Sequence, residues 1–444
     1  MNIKTIAAAA AAGLFLSGAP VRAQSRPPSD KTFEQMKQLV DILGYIQDNY
    51  VTEVDTKRLL YGAAEGMVRT LDPFSQFLEP EMNREMKSET EGQFGGVGLR
   101  LNESDDGLVV MTPMPQTPAY RAGIIPGDRI VEIDGQSARD MDLDEALKFL
   151  RGAPGSRVKL KILRGPEGAD DSELKPMNFE LTRELIRVDS VLPNDLGGGV
   201  GYARVSEFSA RTAEDLSSAI RSLRKGGATS LVLDLRNNPG GLLSAAVETA
   251  SLFLGEGKLI VYTQGRKPES RQDFTAGARA PFADLPLVIL INGGSASASE
   301  IVSGAMQDQH RAVIVGQRSY GKASVQSLIP LPDGSGLRLT VAHYYTPSGR
   351  LIQRDARHTT GGITPDVAVE VTPDDEAKLY EQWETIYAKD KKPHSLVKPE
   401  DMVRDEALER AEEILKARAA FAALAPQVTS SSSTAASAAP ALAP

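Results

Sequence analysis

A serine and a lysine in the second half of the chain have the types and the spacing of a catalytic nucleophile and its base. Ser297 lies in the small-residue run Gly-Gly-Ser-Ala-Ser-Ala-Ser, and Lys322 follows 25 residues later in Tyr-Gly-Lys-Ala-Ser-Val-Gln. A serine hydroxyl needs a base to become a nucleophile. A lysine can be that base when burial among apolar groups disfavours its ammonium form and lowers its pKa. Gln326, four residues beyond Lys322, could orient the amine.

The segments on either side of Ser297 are typical of a strand-to-helix turn. Residues 285–291 form a short apolar run that predicts a buried strand, and the residues after Ser295 have helical composition. Free backbone N–H groups and the positive end of the helix macrodipole can hold an oxyanion there. None of the four histidines has the surroundings of a triad member. Two alternatives stay open on spacing alone: a small-residue run that packs a helix on a sheet, and a solvated Gly-Lys turn.

These strings resemble the catalytic block of the carboxy-terminal processing peptidases, also called tail-specific proteases. The resemblance implies that the middle serine of the run, Ser297 rather than Ser295 or Ser299, is the nucleophile. It further implies that Lys322 is the general base and that Gln326 supports it. No metal or other cofactor is expected for this chemistry.

The string Asp-Leu-Arg-Asn-Asn-Pro-Gly-Gly at residues 234–241 resembles a second motif of the same family. Its two glycines let the backbone approach a ligand closely. The resemblance implies an oxyanion hole formed by the amides of Gly241 and Ala298, with Gly240 as the alternative to Gly241. A structural β-to-α turn is the simpler interpretation without the resemblance. The chain departs from the family at Ala323, where a second glycine usually follows the lysine.

Residues 89–183 combine short strands with one helix and contain Ala-Gly-Ile-Ile-Pro-Gly-Asp-Arg-Ile followed by Ile-Asp-Gly, which resembles a PDZ domain. In such a domain a peptide adds as a strand, and backbone N–H groups hold its terminal carboxylate. The candidate substrate-binding residues are Gly95, Gly96, Val97, Gly98, Leu99 and Leu147. The alternative for Gly95–Gly98 is a simple turn. Arg129, at the start of a strand, is a candidate contact at the domain hinge, with a solvated arginine as the alternative.

The order of predicted elements gives the fold class and the domains. Strands and helices alternate beyond Arg183, which predicts a parallel-rich α/β core. We expect an α/β and α+β multidomain protein with a serine protease core of crotonase or Clp type. The expected divisions are a signal peptide (1–23), N-terminal helices (24–88), a PDZ domain (89–183), the peptidase core (184–371), a C-terminal helical region (372–426) and a disordered low-complexity tail (427–444).

Composition and the N-terminus bear on compartment and partners. The net charge of −9 and a pI near 5.3 argue against a general nucleic-acid binder. A charged start, an apolar run over residues 6–16 and Val-Arg-Ala before Gln24 predict a secretory signal cleaved after Ala23. No segment is long enough to span a bilayer. With no cysteine for lipid attachment or disulfides, the mature protein is expected to be soluble and periplasmic.

Together these features predict an exported serine endopeptidase that recognises protein C-termini through its PDZ domain. The rival interpretations are a catalytically silent PDZ scaffold and a crotonase-like acyl-transfer enzyme. Apolar stripes on the N-terminal helices, and another at Leu408, Ala411, Ile414 and Leu415, need partners, either the body of the chain or a second copy. A homodimer or higher homo-oligomer is therefore expected, and the resemblance adds a helical-repeat adaptor lipoprotein as a possible partner.

Overall fold

The computed structural model describes residues 14–15, 30–90, 92–104, 107–114, 116–139, 141–165, 174–187, 189–354, 360–386 and 402–424. The predicted low-complexity tail lies outside these residues. So does the predicted signal peptide, except for Leu14–Phe15. Within the described part of the chain, no helix combines the length and the apolar character needed to cross a bilayer.

The N-terminal region contains β1 (Leu14–Phe15), α1 (Asp30–Asn49), α2 (Thr56–Arg69), β2 (Gln76–Leu78) and α3 (Pro80–Thr90). Helix α2 contacts the body of the chain, because the ring of Tyr61 lies 5.0 Å from that of Phe77 and the Tyr61 hydroxyl donates to Asp333 at 2.7 Å. Helix α1 has the predicted apolar stripe but leaves it exposed, with Phe33 69% and Val40 65% accessible. The body of this chain therefore contacts part of α2 and leaves much of the stripe of α1 exposed.

The PDZ region contains β3 (Gln93–Gly96), β4 (Leu99–Ser104), β5 (Gly107–Pro113), α4 (Pro118–Arg121), β6 (Arg129–Ile133), β7 (Gln136–Ser137), α5 (Leu143–Leu150), β8 (Arg157–Arg164), β9 (Lys175–Thr182) and β10 (Glu184–Arg187). The antiparallel sheet has the order β4-β5-β6-β8-β9, with β7 beside β6. Strand β4 is thus an edge strand, and its alternate residues Leu99 and Leu101 enter the core of this region. Strands β3 and β10 pair separately where the chain enters and leaves the region.

The α/β region contains β11 (Val191–Asp195), β12 (Val200–Val205), α6 (Thr212–Lys225), β13 (Ser230–Asp234), α7 (Leu243–Ser251), β14 (Leu259–Gly265), β15 (Gln272–Thr275), β16 (Leu287–Ile291), α8 (Ala298–Asp308), β17 (Val313–Gly316), β18 (Ser324–Pro330), β19 (Gly336–Tyr345) and β20 (Val367–Ala368). Strands β12, β13, β16, β17 and β20 form a parallel sheet, and β11 pairs antiparallel with β12. The predicted parallel-rich core is confirmed.

The buried strands of this sheet are apolar on both faces because both faces are covered. Along β16, Ile289 packs into the core shared with α7 and α8, whereas Leu290 packs into a second core on the opposite face. The first core also takes Val325 of β18 and Tyr344 of β19. Helices α7 and α8 therefore lie between the parallel sheet and a second sheet of order β1-β18-β19-β14-β15, which the sequence did not predict.

The C-terminal region consists of α9 (Pro373–Ile386) and α10 (Glu406–Leu424). The predicted stripe on α10 packs against the outer face of the parallel sheet, where Ala411 and Leu415 are buried with Val288 and Leu290. Of the two expected roles for this stripe, the structure therefore assigns a contact with the core.

Candidate active site

Ser297 occupies the predicted strand-to-helix turn, directly before α8. Its φ of 57° lies in the left-handed region, which costs a non-glycine residue about 1–3 kcal/mol and occurs mainly at functional sites. The side chain is fully buried, and its Oγ has no hydrogen-bond partner among the described residues. The hydroxyl is thus held at the positive end of α8 without a structural bond of its own.

Lys322 reaches the site from the other sheet. It lies in the loop between β17 and β18, two residues before β18 begins. The side chain is 1% exposed, and its Nζ is 4.6 Å from the centroid of the Phe74 ring. Burial and the charge of Arg338 lower the pKa of Lys322 to about 8, against the opposing charges of Glu300 and Asp72. The amine can therefore be neutral near physiological pH.

Glu300 joins the serine and lysine loops. Its Oε2 accepts the backbone N–H of Ser297 at 2.8 Å and that of Lys322 at 2.9 Å. Its Oε1 accepts the N–H of Gly321 at 2.6 Å and the hydroxyl of Ser319 at 2.5 Å. Burial raises the pKa of Glu300 to about 7, although these donors favour the carboxylate.

Sequence reasoning gave Glu300 no role. The Ser-x-x-Glu spacing from Ser297 is the sequence signature of a capping box and could have identified it. Tyr344 of β19 completes the link, because its hydroxyl lies 2.7 Å from the carbonyl oxygen of Lys322 and 3.1 Å from that of Ser297. Burial raises the pKa of Tyr344 well above its usual value, so its hydroxyl stays protonated.

The two glycines after Pro239 lie against the serine. A Cβ on Gly240 would come within 2.7 Å of the Cβ of Ser297 and 3.0 Å of the amide nitrogen of Ala298. Only a glycine fits at that distance. Gly240 donates its own N–H to Asn238 Oδ1 at 2.9 Å, which makes Gly241 the better candidate for an oxyanion amide. A Cβ on Gly241 would lie 2.1 Å from the carbonyl oxygen of Phe208, so Gly241 packs directly on that backbone.

Gln326 contacts the N-terminal loop through its amide nitrogen. Its Nε2 donates to the carbonyl of Phe74 at 2.6 Å, and its Oε1 has no hydrogen-bond partner among the described residues. Arg338 donates to the same carbonyl at 3.2 Å. Gln326 therefore fixes the N-terminal loop whose Phe74 ring covers the amine. Sequence reasoning missed Phe74, since nothing in its local pattern indicates a contact 248 residues away.

The structure divides the predicted carboxylate-binding stretch of the PDZ region. Gly95 and Gly96 belong to β3 and pair with Leu185 and Glu184, so only Val97 and Gly98 form the connection before β4. A Cβ on Gly95 would meet the carbonyl oxygen of Gly152 at 2.1 Å, which explains that glycine by packing.

The predicted peptide groove of the PDZ region lies along edge strand β4. Leu99 is buried at the start of this strand, and the half-buried Leu147 lies on α5, which contacts β4. The edge of β4 beside α5 is thus arranged as a peptide-binding groove requires. Arg129 begins β6, where it pairs with Val109 and Leu163.

Comparisons with known proteins agree with this architecture. Residues 199–369 match peptidase family S41, residues 109–164 match the PDZ domain, and residues 11–82 match the activating protease CtpB N-terminal domain. A carboxy-terminal-processing protease from Bartonella bacilliformis is 40% identical over 377 residues, 83% of this chain and 84% of the relative. A carboxyl-terminal-processing protease from Synechocystis is 42% identical over 317 residues, 70% of this chain and 71% of the relative.

Among solved structures, a photosystem II D1 C-terminal processing protease aligns with 77% of this chain and 89% of its own, at 32% identity and a TM-score of 0.44. The sequence identity and the coverage of the two relatives described above assign the chain to its family. The chain belongs to the carboxy-terminal-processing proteases and is a serine-type peptidase with a PDZ domain.

Proposed function

We propose that this peptidase is an exported endopeptidase that cleaves peptide bonds with Ser297 as nucleophile and Lys322 as general base. One observation carries the proposal: the buried serine and the buried lysine are held through their backbones by the same carboxylate, Glu300. The lowered pKa of Lys322 supports the role of base, and the absence of a bond to Ser297 Oγ among the described residues leaves that hydroxyl able to react.

Acylation follows from this arrangement. Neutral Lys322 removes the proton of Ser297 Oγ as the oxygen attacks the scissile carbonyl carbon. The negative charge that develops on the carbonyl oxygen is stabilised by the N–H groups of Gly241 and Ala298. When the C–N bond breaks, protonated Lys322 gives its proton to the leaving amine nitrogen, which returns the lysine to its neutral form.

Deacylation repeats the steps with water. Lys322 removes a proton from a water molecule as its oxygen attacks the ester carbonyl of acyl-Ser297. The same two amides stabilise the second oxyanion. The ester C–O bond then breaks, the proton passes from Lys322 to Ser297 Oγ, and the carboxylic acid product leaves.

An extended peptide has a place to bind beside these residues. The outer edge of β18 pairs in parallel with β1, Leu14 opposite Val325 and Phe15 opposite Gln326. Strand β1 lies within the predicted signal peptide, so cleavage after Ala23 would leave this edge free. We infer that a substrate segment can then pair with the same edge and thereby pass the catalytic lysine, since strand addition to a free sheet edge is a general mode of peptide binding.

We further infer that the PDZ region selects substrates by their C-terminal residues. The connection Val97–Gly98 would hold the carboxylate, and Leu99 with Leu147 would contact the last side chain. The edge position of β4 supports this assignment. Export to the periplasm and a homodimer or higher homo-oligomer are part of the proposal, and the exposed stripe of α1 supports the oligomer.

Cleavage of an unfolded protein such as β-casein tests the proposal. Ser297→Ala should abolish cleavage while circular dichroism stays unchanged. Ser295→Ala and Ser299→Ala are the matched controls, because their hydroxyls bond to backbone carbonyls of Leu235 and Asn238, and they should keep measurable activity. Cleavage at the wild-type rate by the Ser297→Ala protein would show that the nucleophile lies elsewhere.

A further inference from the structure

Two carboxylates of the C-terminal region contact the two loops that flank the nucleophile. The first is Asp405, just before α10. It forms a bidentate pair with Arg236, Nη1 to Oδ1 at 2.7 Å and Nη2 to Oδ2 at 2.9 Å. Arg236 lies at the end of β13, in the loop that continues to Gly240 and Gly241. Asp405 thereby contacts the loop with the proposed oxyanion glycine.

Arg236 is buried and pairs with a second carboxylate besides that of Asp405. It donates to Asp234 from Nε at 3.0 Å and from Nη2 at 2.6 Å, and both side chains are almost inaccessible to solvent. Arg204 lies close by, since the Trp383 ring of α9 is 4.5 Å from its guanidinium and 4.1 Å from that of Arg236. Asp234 and Asp405 both pair with the buried Arg236 guanidinium, and removing Asp405 would take one of these two carboxylates from a buried charge.

The second carboxylate is Glu376 of α9. The Asn292 side chain donates to Glu376 Oε1 and, at 2.8 Å, to Asn237 Oδ1. Asn292 Oδ1 accepts the backbone N–H of Asn237 at 2.8 Å. Asn292 begins the loop that leads from β16 to Ser297, and Asn237 belongs to the loop of Gly241. Glu376 therefore contacts the residue that joins the two loops.

We propose that the C-terminal helices α9 and α10 set the geometry of the oxyanion hole, Asp405 through Arg236 and Glu376 through Asn292. Both acids are positioning residues, because neither touches Ser297. The inference rests on the proposed function, since it assumes that Gly241 and Ala298 stabilise the oxyanion. It gives two acids of the C-terminal region a role in positioning the oxyanion hole, in addition to the cover that α10 forms over the parallel sheet.

The test compares full-length Asp405→Asn and Glu376→Ala with Glu413→Gln, a control on α10 whose acid forms an exposed pair with Arg410. Two quantities are measured. One is kcat and KM on an unfolded protein. The other is the affinity for a peptide aldehyde, whose hemiacetal with serine places an oxygen in the hole, relative to the matching peptide alcohol.

We expect Asp405→Asn and Glu376→Ala each to lose about tenfold to a hundredfold in kcat, with KM within about twofold, as for a disturbed oxyanion hole. Aldehyde affinity should fall by a similar factor, while alcohol affinity and the Glu413→Gln control stay unchanged. Glu376→Gln should restore activity, because its Oε1 can still accept from Asn292.

A lower melting temperature with unchanged kcat and unchanged aldehyde affinity would overturn the proposal. Should Asp405→Asn fail to fold, Glu376→Ala decides by the same two quantities, since its position is half-buried at the start of α9. Ser297→Ala separates the two levels of the account. If Ser297→Ala is active, the proposed function is wrong. If it is inactive while Asp405→Asn and Glu376→Ala are fully active, only the inference about α9 and α10 is wrong.

Discussion

Replacing Glu300 with glutamine would test whether this carboxylate joins the two catalytic loops. Its Oε2 accepts two backbone N–H groups, from Ser297 and Lys322, and its Oε1 accepts the Gly321 N–H and the Ser319 hydroxyl. Glutamine has almost the same shape, but one of its terminal groups is an NH2 that donates. At least one of these backbone donors must then face another donor.

The size of the effect follows from the orientation of the glutamine side-chain amide that costs less free energy. With the NH2 toward Ser319 and Gly321, the serine hydroxyl can turn to accept, and only the Gly321 N–H loses its acceptor. A buried donor without a partner costs about 1–3 kcal/mol, so we expect the free energy of unfolding to fall by about that amount. We expect kcat to fall by about tenfold to a hundredfold, since Gly321 precedes Lys322 and small displacements of catalytic groups have effects of that size.

The loss of stability should also depend on pH. Burial raises the pKa of Glu300 to about 7 from an ordinary 4.5. Because the pKa of Glu300 is higher in the folded than in the unfolded protein, this group stabilises the fold fully at pH values below about 4.5. That stabilisation is lost as the pH rises through about 7. Glutamine does not titrate. The stability difference between wild type and Glu300→Gln should therefore be largest near pH 5 and shrink toward pH 8.

Urea unfolding at several pH values and steady-state cleavage of β-casein measure these effects. Glu248→Gln on α7 is the matched control, because that glutamate is exposed, and it should change neither quantity. Wild-type stability and wild-type kcat in Glu300→Gln would refute the idea that this carboxylate holds the two loops together.

Three further predictions concern the lysine and the PDZ region. Arg338→Gln removes a positive charge that helps to lower the pKa of Lys322, so the midpoint of the pH profile of kcat/KM should move to higher pH; an unmoved midpoint would contradict the assignment of Lys322 as base. Full-length Ser297→Ala protein should bind a peptide with a free C-terminus about tenfold more tightly than its amidated form, by calorimetry, because hydrogen bonds to a charged group are the stronger ones; equal affinities would exclude the carboxylate role of Val97–Gly98. Arg129→Ala should lower turnover of a tailed protein substrate without weakening tail binding or unfolding the protein; full activity, or a loss explained by weaker binding, would exclude a hinge role.

The local sequence pattern predicted buried strands, whose residues are apolar without interruption. The apolar run over residues 285–291 predicted β16 (Leu287–Ile291) to within two residues. Such strands are predictable because both of their faces are buried, so apolar residues run through them without interruption. Residue type and spacing suggested a serine and a lysine, and the family resemblance selected Ser297 among the three serines.

The remainder of the site depends on contacts between distant segments. Phe74, Tyr344 and Asp405 approach Ser297, Lys322 or their loops only after sheets and helices have packed. Their surroundings in the sequence are ordinary, since a buried hydrogen bond or charge pair leaves no periodic pattern. The second sheet was missed for a related reason: strands β14, β15 and β18 carry mixed polar and apolar residues, and the hairpins β14–β15 and β18–β19 are joined by a pairing of β14 with β19 that links distant parts of the chain.

Labelling with a fluorophosphonate tests the central claim most directly, because the reagent loses fluoride only to an activated serine oxygen. Intact-mass and peptide mass spectrometry would give the site and the rate at each pH. Lys322 with a pKa of about 8 is neutral in only about one molecule in ten at pH 7. We predict modification of Ser297 alone, a rate that rises with pH through about 8, and no modification in Lys322→Met. Labelling of Ser295 or Ser299 instead, or an unchanged rate in Lys322→Met, would contradict the account.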